Sequence, residues 1–584
     1  MATRVTLLGS LLLATVAGCS GGAMTPNPAP VPDGGSTGAD AGTQDAAEES
    51  PPDATDATEA GSLFPPALIG QTVEWEPCVL DDNKGEGEAE CADVLVPLFW
   101  SDPSGETIPL HIKRKRGAGT PRRQLWMLDG GPGGAGTTTY GRYMELLAGQ
   151  DTDLEILTLD HRGTGLSNRL GCPDQEDGAS EWGIFLSDAE WPVCLADLEA
   201  RDVRLDAYTT TQAAWDTAFL LDLLGREGTA RFVYGSSYGT YLAHRFAQIF
   251  PSVATSVILD SICPSGSCRL DRQDELANDV VHEILDLCGQ DAFCASKMGP
   301  DPWQRAWDVL EKMRGGHCSA FTSMGLTPSH IQQMPFVLAQ RWGLRPLIPA
   351  IYYRMDRCDP GDVAFLKNLA LAYMVTDVSS NAPIFYRRFS HIVSRNITFS
   401  ELVSDELPTL EEVNALDDSL LATSHNGVRL LAAIEAWPRY ERDVYYHAWA
   451  SQDVPILMLN GTLDTATPMA IAVEAREHLS GPAQRFLEIP WGAHGVIGQS
   501  PVADPEKMPC GMQILLSHVR DPEAAPDTSC LDALLPVDFV GYGDRFGVET
   551  ALGTSDLWEN GAETTSVPSA PRGALRFFDV VVGP

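Results

Sequence analysis

Two adjacent serines stand between two glycines at residues 235–239, where an apolar run gives way to a helical pattern. The pentapeptide Gly-Ser-Ser-Tyr-Gly fits G-x-S-x-G with Ser237 at its centre, which is the pattern of a nucleophile elbow. In such an elbow a sharp strand-to-helix turn strains the serine, and glycines flank it because side chains there would collide with neighbouring backbone. Ser237 is therefore the predicted nucleophile, and Ser236 is an elbow residue that does not attack. Glycine and serine are also common in ordinary turns, so the prediction depends on the strand before the motif and the helix after it.

A serine hydroxyl is a weak nucleophile without a base, so the motif requires partners elsewhere in the chain. Asp464 follows the apolar run 454–461, and His494 follows the apolar run 485–490. Open α/β sheets build their sites at the carboxyl ends of their strands, which is where both residues would lie. Asp464 taken alone fits a turn or a helix N-cap equally well, and His494 taken alone fits a structural histidine. The chain order Ser, Asp, His favours a triad of the α/β-hydrolase type.

A glycine-rich stretch at residues 129–136, DGGPGGAG, permits two interpretations. It contains G-x-G-x-x-G after a predicted strand, and Asp160 ends the next strand, as in a dinucleotide-binding fold. Against that interpretation, Pro132 lacks the N–H that a backbone cradle for pyrophosphate needs. In the alternative, one backbone N–H of this loop and the N–H of Tyr238 bind the oxyanion of an acyl-transfer reaction.

The elements that must position these residues alternate between strand and helix. Short apolar runs that end at Gly, Asp, Ile or Pro predict strands buried on both faces of a parallel sheet, at residues 124–129, 154–160, 231–235, 256–262, 454–461 and 485–490. Helical patterns lie between several of them, so the predicted fold class is α/β with a mostly parallel sheet.

The interval between the fourth and fifth predicted strands breaks this alternation, because its apolar residues recur at helical spacing. We predict a helical cap inserted into the sheet over the active face. The predicted organisation is a signal peptide at 1–18, a disordered tether at 19–62, a first core part at 63–262, the cap at 263–452, a second core part at 453–535 and a tail at 536–584.

The amino terminus predicts export. Arg4 precedes the run VTLLGSLLLATVAGC, which is too short to span a membrane and right for the apolar core of a signal peptide. The run ends at Val-Ala-Gly-Cys, which resembles the bacterial lipobox, in which cleavage before Cys19 leaves that cysteine to carry lipid. An ordinary signal-peptidase site is the competing interpretation. The following residues are almost free of large apolar side chains and cannot fold, as expected of a tether.

Cysteine count and charge agree with an exported protein that does not bind nucleic acid. Without Cys19 the 13 cysteines become 12, an even number that predicts disulfides in an oxidising compartment. Pairs close in the chain are plausible bridges: Cys78 with Cys91, Cys172 with Cys194, Cys288 with Cys294 and Cys510 with Cys530. No C-x-x-C pair or accompanying histidine cluster occurs, so we predict no metal site and no cofactor. A formal net charge of -40 argues against nucleic acid as a partner.

Five motifs make a family resemblance specific: LDGGPGGAG, LDHRGTGLSN, GSSYGTYLA, NGTLDTATP and GAHG. Together they resemble the bacterial secreted tripeptidyl aminopeptidases and, more distantly, the proline iminopeptidases, which are serine peptidases of the α/β-hydrolase fold. The resemblance covers roughly residues 75–535 and includes the family's C-terminal region. It implies that Ser237 is the nucleophile, His494 the base and Asp464 the acid that orients it. It also implies that Gly131 and Tyr238 supply the N–H groups of the oxyanion hole.

The chain departs from this family at two places. Asp129 stands where relatives commonly have His or Asn, and the segment AAIEAWPRY around Glu435 lacks the Cys-x-acidic pattern expected in the cap. An exopeptidase must recognise a free amine, and Glu435 is the candidate for that role. Its apolar and aromatic neighbours suggest a partly buried carboxylate, while a solvent-facing helix residue is the more common explanation.

The family resemblance and the lipobox-like segment together predict a lipid-anchored serine exopeptidase of the cell envelope that acts on peptides near their free N-terminus. A carboxylester or small-amide hydrolase on the same fold is the alternative, because one triad serves both reactions. A surface binding protein without catalysis is a remote alternative. The expected partners are peptide substrates and a membrane reached through lipid on Cys19.

Overall fold

The structure, a computed structural model, describes residues 63–559 with gaps at 83, 177–185, 187–188, 323–326, 375–386, 544, 546–547, 549–551 and 555. The predicted signal peptide and tether, including Cys19, lie outside the described residues, as does the end of the predicted tail. Within the described part no helix is both long and apolar enough to cross a membrane.

A single nine-stranded sheet organises the described residues, in the order β1-β2-β3-β5-β4-β6-β7-β8-β9. Its strands are β1 (Glu76–Asp81), β2 (Glu86–Pro97), β3 (Thr107–Arg116), β4 (Arg123–Leu128), β5 (Leu154–Leu159), β6 (Ala230–Ser237), β7 (Ser256–Ile262), β8 (Ile456–Gly461) and β9 (Gln484–Ile489). Strands β4 to β9 pair in parallel and correspond to the predicted runs, shifted by two residues or fewer at each end. The expected α/β class with a mostly parallel sheet is confirmed.

The parallel strands are buried because helices cover both faces of the sheet. Every residue of β5, β7 and β8 is buried. In β6, Val233 belongs to the hydrophobic cluster on one face, while Phe232 and Tyr234 belong to the cluster on the other. This alternation follows from the two-residue period of a strand. It explains why apolar residues stand at consecutive positions of these runs rather than only at every second one.

The antiparallel edge formed by β1, β2 and β3 was not predicted from the sequence. Strand β2 begins with the acidic residues of EGEAE, and its first three residues are exposed. Such a strand lacks the continuous apolar run of a buried parallel strand, so its sequence looks like a loop. Cys78 of β1 and Cys91 of β2 form a disulfide that ties this edge together.

Helices of the described residues before β8 are α1 (Pro66–Ile69), α2 (Gly136–Thr139), α3 (Gly141–Gln150), α4 (Trp191–Ala200), α5 (Thr210–Leu223), α6 (Tyr238–Ile249), α7 (Gln273–Gln290), α8 (Ala292–Met298), α9 (Pro302–Arg314), α10 (Ser319–Thr322), α11 (Pro328–Ala339), α12 (Leu347–Arg357), α13 (Pro360–Met374), α14 (His391–Glu401), α15 (Leu410–Ser419) and α16 (Asn426–Ile434). After β8 come α17 (Met469–His478) and α18 (Cys510–Arg520). Helices α5, α6 and α17 pack on one face of the sheet, and α3 and α18 pack on the other.

The insertion between β7 and β8 contains helices α7 to α16 and no named strand among its described residues, as its apolar spacing predicts. Helices α7, α9, α11, α12 and α13 share one hydrophobic cluster that is separate from the two clusters on the sheet. Phe539 and Trp558, from the predicted tail, are buried in that same cluster. The described part of the tail therefore packs against the inserted helices.

All four disulfides suggested by proximity in the chain are present, together with two that were not predicted. Cys263 pairs with Cys268 directly after β7, and Cys318 pairs with Cys358 within the insertion. Six disulfides are typical of an extracellular or envelope protein, where the compartment is oxidising.

Candidate active site

The turn between β6 and α6 has the geometry of a nucleophile elbow. Ser237 has φ 58° and ψ -128°, a strained conformation for a residue with a side chain. A Cβ added to Gly235 would lie 2.0 Å from the carbonyl oxygen of Gly239, and one added to Gly239 would lie 2.3 Å from that of Leu128. Both glycines of the motif are therefore required by close backbone packing around the serine.

The glycine-rich loop after β4 lies beside the side chain of Ser237. A Cβ added to Gly130 would lie 2.9 Å from Ser237 Cβ and 3.4 Å from its Oγ. Gly131 has φ 113°, a conformation that favours glycine. On the other side of the serine, Tyr238 is the first residue of α6, and the first N–H groups of a helix have no partner within it. The two predicted oxyanion donors thus belong to the segments that flank Ser237.

Asp464 and His494 form a hydrogen-bonded pair. The imidazole Nδ1 lies 2.9 Å from Oδ2 and 3.0 Å from Oδ1 of the carboxylate. The backbone N–H groups of Ala466 and Thr467 donate to Oδ1 at 2.8 and 3.0 Å, and the Thr467 hydroxyl donates to Oδ2 at 2.9 Å. Asp464 is completely buried.

The carboxylate of Asp464 stays ionised despite its burial. Desolvation raises its pKa, but the His494 ring and the bonds from Thr467 more than offset this, so the pKa of Asp464 lies below its ordinary value. An ionised carboxylate can only accept hydrogen bonds, so Nδ1 of His494 carries the proton. Its Nε2 is then left free to act as a base.

A second buried acid, Asp260 of β7, holds the loop that carries His494. Its two oxygens accept the N–H groups of Val496 at 2.8 Å and Ile497 at 3.0 Å, and the Tyr234 hydroxyl donates to it at 2.7 Å. Burial raises the pKa of Asp260 above its ordinary value. The sequence analysis did not single out Asp260. The available signal was an acid inside an otherwise apolar strand, SVILDSI, which is a costly place for a carboxylate without partners.

A segment of the insertion also contacts the glycine-rich loop. The N–H of Ala135 donates to the Arg388 carbonyl at 3.0 Å, and the N–H of Ser390 donates to the Gly133 carbonyl at 2.9 Å. Between them, the Phe389 ring lies 3.2 Å from where a Cβ on Gly131 would be. Nothing in the local sequence of residues 388–390 indicates this pairing, which joins positions more than 250 residues apart in the chain.

The acids around the glycine-rich loop do not suit a dinucleotide. Asp160 is completely buried and already accepts from the Thr137 N–H at 3.0 Å, the Thr137 hydroxyl at 2.7 Å and the Leu166 N–H at 2.8 Å. Its carboxylate oxygens are therefore used within the protein and do not face a ribose. Asp129 accepts from the Gly130 N–H and the Thr139 hydroxyl, and burial raises its pKa. Both acids brace the loop.

Glu435 is exposed, directly after the end of α16. It is therefore not the partly buried carboxylate that its apolar neighbours in the sequence suggested, and its role in binding an amine stays a prediction. A deeply buried carboxylate of the insertion is Glu401, which accepts from the hydroxyl groups of Tyr241 and Tyr440. Its charge is already paired with Arg245 at 2.8 Å.

Comparison with known proteins identifies two matching regions. Residues 127–283 match the family model described as alpha/beta hydrolase fold, and residues 427–509 match the model described as TAP-like protein. A tripeptidyl aminopeptidase of Streptomyces lividans is 25% identical, with 73% of this chain and 81% of that protein covered. The serine protease Hip1 of Mycobacterium bovis is 24% identical over 40% of this chain and 48% of that protein.

A solved carboxyl esterase from Bacillus coagulans is 10% identical, with 70% of this chain and 92% of the esterase covered and a TM-score of 0.30. The family models and the curated relatives agree with the resemblance first drawn from the five motifs. The chain is a serine hydrolase of the α/β-hydrolase fold and is similar in sequence to tripeptidyl aminopeptidases and to a serine protease.

Proposed function

We propose that this protein is a serine exopeptidase that hydrolyses peptide bonds near the free N-terminus of peptides. The observation that carries the proposal is the buried Asp464–His494 pair at 2.9 Å, on the same sheet as a strained serine at the head of α6. Ser237 Oγ attacks the scissile carbonyl while His494 Nε2 takes its proton and returns it to the leaving amine. Asp464 holds the imidazole tautomer, and water then releases the acyl group by the same route.

The oxyanion that forms during attack is stabilised by the backbone N–H groups of Gly131 and Tyr238. Their segments lie on two sides of Ser237, as the geometry of such a hole requires. The two backbone hydrogen bonds between residues 388–390 and the glycine-rich loop support this role, because they limit how far the loop can move.

The similarity to a tripeptidyl aminopeptidase and to a serine protease supports peptides as substrates. A carboxylester or small-amide hydrolase is the second candidate, since the triad chemistry does not distinguish the two. A binding protein without catalysis is the least favoured, because every catalytic position is filled.

The decisive experiment compares three substrates: a free tripeptide amide of a fluorogenic amine, its N-acetylated form and a simple aryl ester. Exopeptidase action predicts cleavage of the free peptide and a loss of about 2 kcal/mol or more of transition-state binding on acetylation, because the pocket's charge is left unpaired. Equal rates on free and acetylated peptides would rule out the aminopeptidase. Good turnover of the ester with none of either peptide would favour the esterase, and no turnover at all would favour the binding protein.

Glu435 is the proposed partner of the substrate amine. Glu435→Gln should remove most of the discrimination between free and acetylated peptides, and Glu441→Gln, at another exposed glutamate nearby, is its matched control. Because Glu435 is exposed, its attraction for an ammonium group reaches the size of this discrimination only where the bound substrate excludes water from the pair. Unchanged discrimination in Glu435→Gln would remove this residue from the proposal without affecting the triad.

We also propose that lipid on Cys19 anchors the protein in the cell envelope, on the outer-membrane or periplasmic face if the source is Gram-negative. The support is the lipobox-like Val-Ala-Gly-Cys and the polar tether that follows. The protein should then partition into the detergent phase, and Cys19→Ser should leave an uncleaved signal peptide. A mature amino terminus other than Cys19 would contradict the anchor.

A further inference from the structure

Arg345 is a completely buried cation of the insertion whose hydrogen bonds all go to backbone carbonyls. It lies between the short 3₁₀ helix Trp342–Leu344 and helix α12. Its Nε donates to Ala339 O at 3.2 Å, and its Nη2 donates to Leu463 O at 2.6 Å and Gly492 O at 3.1 Å. Its Nη1 donates to the Trp491 carbonyl. Three of these four acceptors belong to the loops that carry Asp464 and His494.

The two loops already touch each other at the same place. The N–H of Leu463, the residue before Asp464, donates to Gly492 O at 3.2 Å. The N–H of Trp491 donates to the Thr462 hydroxyl at 2.9 Å, and Trp491 has φ 54°, a strained conformation for a tryptophan. A planar guanidinium can bind several carbonyls at fixed angles, whereas a lysine ammonium acts as a single point of charge. Arg345 therefore suits the junction of these loops.

The charge of Arg345 is unusual for a residue that serves stability alone. Burial lowers its pKa to about 9, and the neighbouring charges of Asp464, Tyr542 and Glu283 oppose this shift. The guanidinium is therefore still charged at neutral pH. Burying a cation on neutral carbonyls costs free energy, and a buried charge is weak evidence for stability.

We propose that Arg345 is a positioning residue that holds the acid loop and the base loop in one geometry, so that His494 faces Ser237. This inference rests on the proposed triad. The inserted helices then do more than cover the site, since they supply a side chain that fixes its catalytic pair. The hydrogen bonds that Arg345 donates to the loops go to backbone carbonyls, so its effect on the reaction passes through His494 and Asp464.

Arg354 offers a matched control within the same insertion. It is also completely buried, lies on α12, and donates to the Leu557 carbonyl at 2.7 Å. Its charge is paired with Asp362 at 2.9 Å. These partners and the Asp556 carbonyl, to which Arg354 also donates, lie in the insertion and the tail rather than in the loops of Asp464 and His494.

The test compares Arg345→Lys with Arg354→Lys in the full-length protein, below the unfolding temperature of each variant. We expect Arg345→Lys to slow both kcat and the rate of fluorophosphonate labelling by about 10²-fold with little change in KM, as misplacement by about 1 Å would. Arg354→Lys should lower the melting temperature but keep wild-type kcat and labelling. Equal kcat in Arg345→Lys and wild type, or parallel losses of rate in the two variants, would overturn the proposal.

A second variant separates geometry from folding. Arg345→Ala leaves a cavity of guanidinium shape, so millimolar guanidinium should restore part of the labelling rate, while the same concentration of sodium chloride should not. Failure of both Arg345 variants to fold, or folded Arg345→Ala without rescue, would assign this residue to stability and overturn the proposal. Failure of the proposed triad itself would give a different result. Fluorophosphonate would then label the Ser237→Ala variant at the wild-type rate.

Discussion

The Asp464 carboxylate lies 2.9 Å from Nδ1 of His494, and the two residues follow neighbouring parallel strands, β8 and β9. The strands pair in register to their ends at Gly461 and Ile489, so the loops after them begin at the same edge of the sheet. The acid is completely buried and the imidazole is partly exposed. Because Nδ1 is paired with Asp464, Nε2 is the ring nitrogen that could serve as a base.

Ser237→Ala should abolish turnover and labelling by a fluorophosphonate, while Ser236→Ala should keep labelling. Only the central residue of the elbow has the strained φ of 58°, and only its side chain lies against Gly130. Gel fluorescence after labelling, with circular dichroism to verify folding, measures both variants. Labelling that persists in Ser237→Ala would contradict the assignment of Ser237 as the nucleophile.

Asp464→Asn should leave a folded protein whose rate is lower by about 10⁴, because an amide can hold the imidazole in the wrong tautomer. His494→Ala should remove the general base and reduce the rate at least as far. The control is Asp260→Asn, which loosens the backbone after His494 and should cost less activity and more thermal stability. Steady-state kinetics on one fluorogenic substrate ranks the rates of all three variants. A larger loss of rate in Asp260→Asn than in Asp464→Asn would make Asp260 the catalytic acid.

Gly131→Ala should lower kcat by about 10² to 10³ with KM nearly unchanged, by displacing an oxyanion donor. Gly131 has φ 113° and faces the Phe389 ring, so a methyl group there meets both strain and a collision. Gly228→Ala is the control, because Gly228 has φ 75° with nothing within 4 Å of an added Cβ. Gly228→Ala should cost stability alone, and equal kcat values in the two variants would contradict the role of the loop.

Acid should destabilise the fold partly through His244. This residue is buried, its Nε2 accepts the Ala450 N–H at 3.1 Å, and burial lowers its pKa from 6.5 to about 3. As pH falls below 6.5, His244 binds a proton in the unfolded chain but not in the folded protein. The free energy of unfolding therefore falls by about 1.4 kcal/mol per pH unit. Urea midpoints at pH 7.5 and 5.5 should differ less in His244→Gln than in wild type. Identical differences would show that His244 does not contribute.

The disulfide Cys318–Cys358 should contribute more stability than Cys288–Cys294. The first closes a loop of 40 residues and the second a loop of 6. Chain-entropy arguments give about 4 kcal/mol for the longer loop and about 2 kcal/mol for the shorter one. Chemical denaturation of the two double Cys→Ser variants measures the difference, and a larger loss for the Cys288–Cys294 pair would mean that strain or residual structure outweighs loop length.

The parallel half of the sheet could be predicted because its central strands are buried on both faces, which puts apolar residues at consecutive positions. The candidate triad could be proposed for a related reason, since a nucleophile elbow and strand-end positions are local patterns of a few residues. The antiparallel edge could not be predicted from the sequence. Its strands are partly exposed, so a strand such as β2 can begin with EGEAE, a sequence typical of loops. The exposure of Glu435 likewise depended on packing that its apolar neighbours do not reveal.

By itself the sequence determined the α/β class, the strained serine and the chain order of its candidate partners, because each is written in residues close together in the chain. Only the tertiary structure decided that Asp260 holds the residues after His494, that Arg345 joins the loops of Asp464 and His494, and that residues 388–390 pair with the glycine-rich loop. The physical reason is that these contacts join a side chain or carbonyl to backbone groups more than 100 residues away. Every residue offers the same backbone groups, so no residue type marks the partner in advance.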